Sequence, residues 1–333
     1  LAISINEGDF QYICFMANRG KVIITDKAHP KLQLGLEEMG YKVDNRPKLT
    51  LAELHQIIGD YQGVIINSKM IADQSLLDKA TQLQFIGRLG SGLEIVDVEY
   101  ATFKGIKVVS TPEGNCNAVA EHAMGMLLML QNKLHQANTQ VKEFIWRREA
   151  NRGIELSGKT LGIIGFGHTG SALARKLAGW NVNILAYDKY KKNYTAGYDN
   201  VSESTPEGIQ SQADIISFHL PLTSETIGLV NIDYLRACQR GVIIINTSRG
   251  QVITLKDLLA QLHVKHVGGA CLDVLENENM DQLSAAEREV LMALFQLDHV
   301  VLSPHVAGWT QESLIMIADT LLQKIKNELD QII

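Results

Sequence analysis

Cysteine is scarce and scattered. Cys14, Cys116, Cys238 and Cys271 are the four in 333 residues, with no C-x-x-C pair and no short Cys/His spacing. That argues against a disulfide framework or a zinc site, and leaves reduced, buried thiols in a cytoplasmic protein as the expectation. Proline is sparse as well, with six residues, and no biased or equal-period segment occurs. Disordered, low-complexity and solenoid architectures are therefore set aside. Long apolar runs are missing: the longest, Met124 to Leu130, falls far short of the roughly 20 residues a bilayer span requires. Positive charge is not in excess either. Lys and Arg total 31 against 37 Asp and Glu, a net −6, which speaks against a nucleic-acid surface but permits a local basic pocket. The first 15 residues carry Glu7 and Asp9 and no basic start, unlike a signal peptide. The structured protein is expected to begin near Met16, after an extension.

What is present is an α/β rhythm, in a chain long enough for two domains. From Lys21 to Thr25 onward, short β-branched runs alternate with amphipathic stretches such as His29 to Met39, closed by Gly40. Tyr41-Lys42-Val43, Val64-Ile65-Ile66, Phe85-Ile86-Gly87 and Lys107-Val108-Val109 continue the series, at a spacing that implies parallel βαβ units. Thr111-Pro112 breaks the rhythm. Asn117 to about Glu149 then reads as one long helix or two nearly continuous ones, so apolar around Met124 to Leu130 that it must be buried in its domain or against another subunit. A second series follows: Thr160 to Ile164, Val182 to Tyr187, Asp214 to Phe218, Val242 to Ile245, Val267 to Leu272 and His299 to Leu302. Six strands suit a doubly wound sheet. A last helix, about Gln311 to Leu329, could return to the first domain.

The second series opens on Gly165, Gly167 and Gly170, a G-x-G-x-x-G between an apolar strand and the helix-forming Ser171 to Leu177. Glycines there permit a tight turn, close approach of backbone to a pyrophosphate, and close packing of helix on strand, and the helix N-terminus favours phosphate. Asp188, at the end of the next strand, suits the adenosine ribose hydroxyls and would repel the 2′-phosphate of NADP. NAD is the expected cofactor, although Lys189, Lys191 and Lys192 stand close to that carboxylate.

Polar clusters mark the ends of three later strands, where open α/β sheets bind ligands: Asn246-Thr247-Ser248-Arg249-Gly250, Leu272-Asp273 through Glu278, and Ser303-Pro304-His305 through Gly308. They supply an anion clamp, an orienting carboxylate and a proton carrier. With Gly90-Ser91-Gly92, Thr111-Pro112, Ala120-Glu121-His122-Ala123, the fingerprint and His219-Leu220-Pro221-Leu222-Thr223, the chain resembles the D-isomer-specific 2-hydroxyacid dehydrogenase family from Lys21 to its end. The resemblance is nearest to the phosphoglycerate dehydrogenase branch, and a short form without a regulatory domain is the expectation.

The resemblance implies two Rossmann-like or flavodoxin-like parallel-sheet domains, an NAD domain (113–305) inserted into a discontinuous substrate domain (1–112 and 306–333), with a cleft that closes over the nicotinamide. Arg249 becomes the carboxylate-binding arginine, His305 the general acid and base, and Glu278 its orienting partner. Ser91 and Gly92 share the substrate carboxylate. Cofactor contacts fall on Ser91, Gly165, Gly167, His168, Thr169, Gly170, Asp188, Leu220, Pro221, Thr247, Ser248, Asp273, Ala307 and Gly308. Glu276 is read as a solvated loop charge, and His122 and His219 as structural. No metal, nucleic-acid or membrane partner is implied. Two departures stand out: Glu94-Ile95 where an acid-Asn pair is usual, and Asn279 where the family often has proline.

The expected activity is D-3-phosphoglycerate dehydrogenation, with glyoxylate or hydroxypyruvate reduction as the alternative and an NAD-binding corepressor-like scaffold as a remote third. A phosphorylated substrate needs cations, yet Asn67-Ser68-Lys69 stands where phosphoglycerate dehydrogenases usually carry arginine. Lys69 is the candidate substitute, with Arg147 and Arg148 as possible contributors. A homodimer through the apolar helix around 118–130 is expected.

Overall fold

The structure, a computed structural model, describes residues 19–330. The expectations about Met16, the segment before it and Cys14 lie outside the described residues. The chain forms two compact units: residues up to Asn115 together with those from Thr310, and Cys116–Trp309.

The first unit holds a five-stranded parallel sheet of β1 (Lys21–Ile24), β2 (Lys42–Asn45), β3 (Gly63–Ile66), β4 (Phe85–Arg88) and β5 (Lys107–Val109), in the order β2-β1-β3-β4-β5. Its central strands are unbroken apolar runs because helices cover both faces, so the sequence shows no alternation. Helix Pro30–Glu38 starts on a proline, takes its N-cap bond from His29, and turns Leu32 and Leu36 inward. Thr50 and Glu53 form a reciprocal capping box at the start of helix Leu51–Ile57. The C-terminal helix Gln311–Asp330 does return here, packing Ala318, Leu321 and Ile325 against Val22, Ile24, Ile65 and Phe85. Truncating a side chain as buried as Leu321 to alanine costs about 2–5 kcal/mol.

The second unit carries seven parallel strands: β6 (Thr160–Ile164), β7 (Asn183–Tyr187), β8 (Val201–Glu203), β9 (Ile215–Phe218), β10 (Val242–Asn246), β11 (Val267–Leu272) and β12 (Val300–Leu302). Their order is β12-β11-β10-β9-β6-β7-β8. The expected count of six omitted β8, an edge strand of three residues with only Val201 buried, too short and too polar to show in the sequence. Strand order reverses between β6 and β9, and this is the switch point at which such sheets bind ligands.

Of the two readings of the stretch after Thr111-Pro112, the structure has two nearly continuous helices: Pro112–Gln131 is followed, after Lys133 at a left-handed φ of 51°, by Leu134–Lys142, which stops short of Glu149. Ala120, Ala123, Met124, Met126, Leu127 and Leu130 pack into this unit's own core, beside Leu161, Ile163 and Leu173. Most of the helix's apolar surface is therefore covered within the unit, while Met129 stays exposed. Cys238 and Cys271 are buried, but Cys116 is only half-buried.

Candidate active site

Three adjacent strands of the second unit end in register. Asn246 of β10 pairs with Leu272 of β11, and Leu272 with Leu302 of β12. The ladder continues beyond them, with Asp273 N donating to Asn246 O, Ser303 N to Leu272 O, and His305 N to Asp273 O. Loops that are remote in sequence thus leave the sheet side by side, which brings Arg249, Glu278 and His305 to one edge.

Two of these loops are held by buried polar side chains, the first by its own Asn246 and the second by Asp273 from the end of the neighbouring strand. After β10, the buried Asn246 accepts from Ser248 N (3.0 Å) and Ser248 Oγ (2.8 Å), and donates to Arg249 O (2.9 Å). Arg249 Nη1 in turn donates to Ser248 O at 2.8 Å. After β12, Asp273 does the same work. Its carboxylate, 1% exposed, accepts from Ser303 Oγ (2.5 Å), Val306 N (3.0 Å) and Ala307 N (2.9 Å). His122 Nε2 completes the cluster, 2.8 Å from Ser303 Oγ and 3.6 Å from Asp273. This clamp holds His305 at φ 54°, a left-handed conformation that costs a non-glycine residue about 1–3 kcal/mol.

His305 Nδ1 lies 2.8 Å from Glu278 Oε2, with the two side chains 50% and 44% exposed. The hydrogen bond to Glu278 holds the imidazole pKa above its ordinary value, and the charges of Glu278 and Asp273 add to it. Partial burial and the Arg249 guanidinium oppose them. A histidine that donates through Nδ1 to a carboxylate presents Nε2 for proton transfer. His219 is different. Desolvation pushes its pKa down to about 4, leaving it neutral, and Nε2 meets Ser217 Oγ at 2.9 Å, a structural arrangement.

Glu276 is not the solvated charge expected from the sequence. Its carboxylate accepts Leu255 N at 2.7 Å, and desolvation raises its pKa despite that bond. The reason is non-local: helix Leu255–His263 has no side-chain cap from its own Thr254, and the loop after β11 supplies one.

At the switch point, Gly165 has a φ of 94°, and a Cβ there would overlap the carbonyl oxygen of His219, which follows β9. A Cβ on Gly170 would overlap Gly165 O, so helix His168–Lys176 can sit close on β6. Gly167, the N-cap of that helix, offers no side-chain bond, and among the described residues nothing lies within 4 Å of where its Cβ would project. Asp188 accepts Phe166 N, Tyr190 N and Lys191 N at 3.0, 3.0 and 3.1 Å. Lys191 reaches back to Phe166 O at 2.9 Å, while Lys189 is bound to Glu225. Leu220 packs beside Gly165, and Pro221 O accepts Thr226 Oγ1 at 2.7 Å. The buried hydroxyl of Thr247 has no partner among the described residues. An open glycine cradle, a ribose-type carboxylate and an orphaned hydroxyl fit NAD.

Of the residues expected to bind substrate, Lys69, Ser91 and Gly92 lie in the first unit, in loops following β3 and β4. Gly90 N donates to Thr111 Oγ1 (2.9 Å), and Ser91 Oγ to Asn115 Oδ1 (3.2 Å). Lys69 Nζ is engaged by Pro47 O at 2.6 Å. Asn67 receives Arg88 Nη1 at 3.0 Å and donates its N–H to Asp26 at 3.1 Å. Asp26 was not anticipated. Burial raises its pKa, opposed by the Asn67 N–H and by the charges of Lys69 and Arg88.

Residues 124–307 match the sequence profile described as D-isomer specific 2-hydroxyacid dehydrogenase, NAD binding domain. The chain belongs to this family. It is 31% identical over 307 residues to a D-3-phosphoglycerate dehydrogenase of Archaeoglobus fulgidus, covering 92% of this chain and 57% of that one. It thus spans little more than half the length of that relative. Among solved structures, the TT0316 protein of Thermus thermophilus superposes with a TM-score of 0.79 at 27% identity, over 93% of this chain and 97% of the other. The apo D-lactate dehydrogenase of Escherichia coli gives 0.75 at 29% identity, over 93% and 97%. As a 2-hydroxyacid dehydrogenase family member, the chain carries the family's NAD-binding domain in its second unit.

Proposed function

We propose that this protein is an NAD-dependent oxidoreductase interconverting the C2 hydroxyl of a small D-2-hydroxy acid and the corresponding keto acid, with 3-phosphoglycerate as its substrate. The observation that carries the reading is the 2.8 Å pair of His305 and Glu278 at the strand ends that also bear Arg249, in a domain matching NAD-binding relatives. In the oxidation direction His305 Nε2 takes the C2 hydroxyl proton, and Glu278 stabilises the resulting imidazolium. In reduction the same nitrogen returns the proton to the carbonyl oxygen. Bound NAD supplies the other half of the chemistry by accepting the hydride from C2, or returning it. Arg249 holds the substrate carboxylate through its guanidinium fork and polarises the reacting carbonyl. The N–H groups of Ser91 and Gly92 bind the same carboxylate.

Gly165, Gly167, His168, Thr169 and Gly170 hold the pyrophosphate, and Asp188 the adenosine ribose. Ser91, Leu220, Pro221, Thr247, Ser248, Asp273, Ala307 and Gly308 line the rest of the cofactor's course, with Asp273 acting chiefly as the clamp on the His305 loop. Residues 113–305 serve as the cofactor domain and the two chain ends as the substrate domain.

The phosphoglycerate assignment is supported by the similarity to D-3-phosphoglycerate dehydrogenases. One observation favours glyoxylate or hydroxypyruvate reduction instead: Asn67 and Lys69 are committed to Arg88 and Pro47, so no cation of that loop stands ready for a phosphate. Turnover with 3-phosphoglycerate and NAD, beside hydroxypyruvate and glyoxylate with NADH, separates the two. Activity on the keto acids alone overturns the phosphoglycerate assignment, and no activity on any of them overturns the dehydrogenase.

A homodimer and a cytoplasmic location complete the proposal. The dimer is placed on the helix around 118–130, where Met129 stays 37% exposed, and is supported by the apolar surface of Val141 in helix Leu134–Lys142 and of Phe144 and Trp146 just after it. A stable monomer by sedimentation at micromolar concentration contradicts it. The location rests on the buried thiols of Cys238 and Cys271, which are in no disulfide among the described residues.

A further inference from the structure

We propose that Asn277 is a positioning residue that fixes the backbone under Glu278 and so holds the carboxylate against His305. Glu278 is a half-exposed side chain on a loop, and left to itself it would sample many rotamers. The loop does not leave it to itself. The carbonyl of Leu275 sits where a Cβ on Gly250 would be, so it presses directly on the backbone of the Arg249 loop. Glu276 is pinned to the first turn of helix Leu255–His263 through Leu255 N.

Asn277 then makes two bonds of opposite sense. Its Oδ1 accepts Asn279 N at 3.0 Å, closing a turn with Glu278 at the centre. Its Nδ2 donates to Glu287 Oε1 at 3.1 Å.

Glu287 is itself a fixed point. Its second oxygen accepts Ser284 N (2.7 Å) and Ser284 Oγ (2.5 Å), the capping box of helix Ala285–Phe295. The Glu278 turn is thereby tied to a helix N-terminus whose geometry is already determined. The demand for an acceptor on one side and a donor on the other also explains the residue type. Asp at 277 would face the Glu287 carboxylate, and Ser would keep only the turn. Asn279 leaves this turn a backbone N–H, the donor that a proline could not supply.

The inference rests on the acid–base reading of the His305–Glu278 pair, but its geometric core is measurable without catalysis. The charged groups acting on His305 are Glu278 and Asp273, which favour the imidazolium, and Arg249, which opposes it. In Asn277→Ala, NMR titration of the His305 ring in the cofactor-free protein should move to lower pH than in wild type. Turnover should fall about 10-fold, less than the roughly 10²-fold that a 1 Å misplacement can cost, with the KM for NADH unchanged. Asn277→Ser, which keeps an acceptor for Asn279 N, should lie between the two and carries the comparison if the alanine variant folds poorly. A His305 titration that superimposes on wild type in both variants overturns the proposal. A wild type inactive on every 2-keto acid would instead count against the proposed function, while the titration would still decide the role of Asn277.

Discussion

Glu278→Gln isolates the charge of the carboxylate from its shape. The glutamine carbonyl can still accept the Nδ1–H of His305, so the tautomer that exposes Nε2 survives, and only the charge is removed. A charge-assisted hydrogen bond contributes about 1.5–3 kcal/mol when well shielded. Here both side chains are about half exposed (50% and 44%) and solvent screens the pair. The charge contribution is therefore about 1–1.5 kcal/mol, or a five- to tenfold loss in kcat. The direction of the pH effect follows from the pKa. Because Glu278 holds His305 above its ordinary value, losing the charge lowers the pH at which the imidazole gives up its proton. Keto-acid reduction needs the protonated form, so its basic limb should move to lower pH. Hydroxy-acid oxidation needs the neutral form, so its acidic limb should move the same way. Stopped-flow pH–rate profiles of kcat in both directions provide the assay. Profiles that superimpose on wild type, at unchanged kcat, refute the pairing of these residues in catalysis.

Other outcomes follow from the same geometry. Asp188→Ala should lower the ratio of kcat/KM for NADH over NADPH by about 10-fold, by removing the charge that repels a 2′-phosphate; a wild type that already prefers NADPH contradicts the reading. Gly165→Ala forces a side chain into φ 94° and onto His219 O, and should cost about 1–3 kcal/mol, read as a lower Tm together with weakened NADH binding. Lys69→Ala should raise the KM for 3-phosphoglycerate more than that for hydroxypyruvate if the lysine leaves Pro47 O to meet a phosphate; equal effects favour the unphosphorylated substrate.

Much of this was legible in the residues because the signals are local. The fingerprint shows as glycines between an apolar run and a helix, and Arg249, Glu278 and His305 each follow a recognisable strand. What escaped depends on contacts between distant segments. The edge strand β8 has one buried residue and no apolar run. Two nearly continuous helices were one of the readings, but the place of the break is a left-handed Lys133, with neither glycine nor proline to announce it. Glu276 looks like a surface charge until the fold brings it to an uncapped helix 21 residues away in sequence. Asn246 and Asp273 were seen as members of polar clusters, yet their work is to clamp the loops that carry Arg249 and His305, and the strand ladder across β10, β11 and β12 decides that. The apolar helix was open to two readings, and packing against β6 and helix His168–Lys176 covers most of its apolar surface within the unit.

The most direct test of the central claim compares wild type with His305→Ala in NADH-dependent reduction of hydroxypyruvate, with NADH binding followed in parallel by fluorescence titration. The account predicts a fall in kcat of about 10²–10⁴, as expected for loss of a general acid, with NADH affinity unchanged. Wild-type turnover by the alanine variant would contradict it.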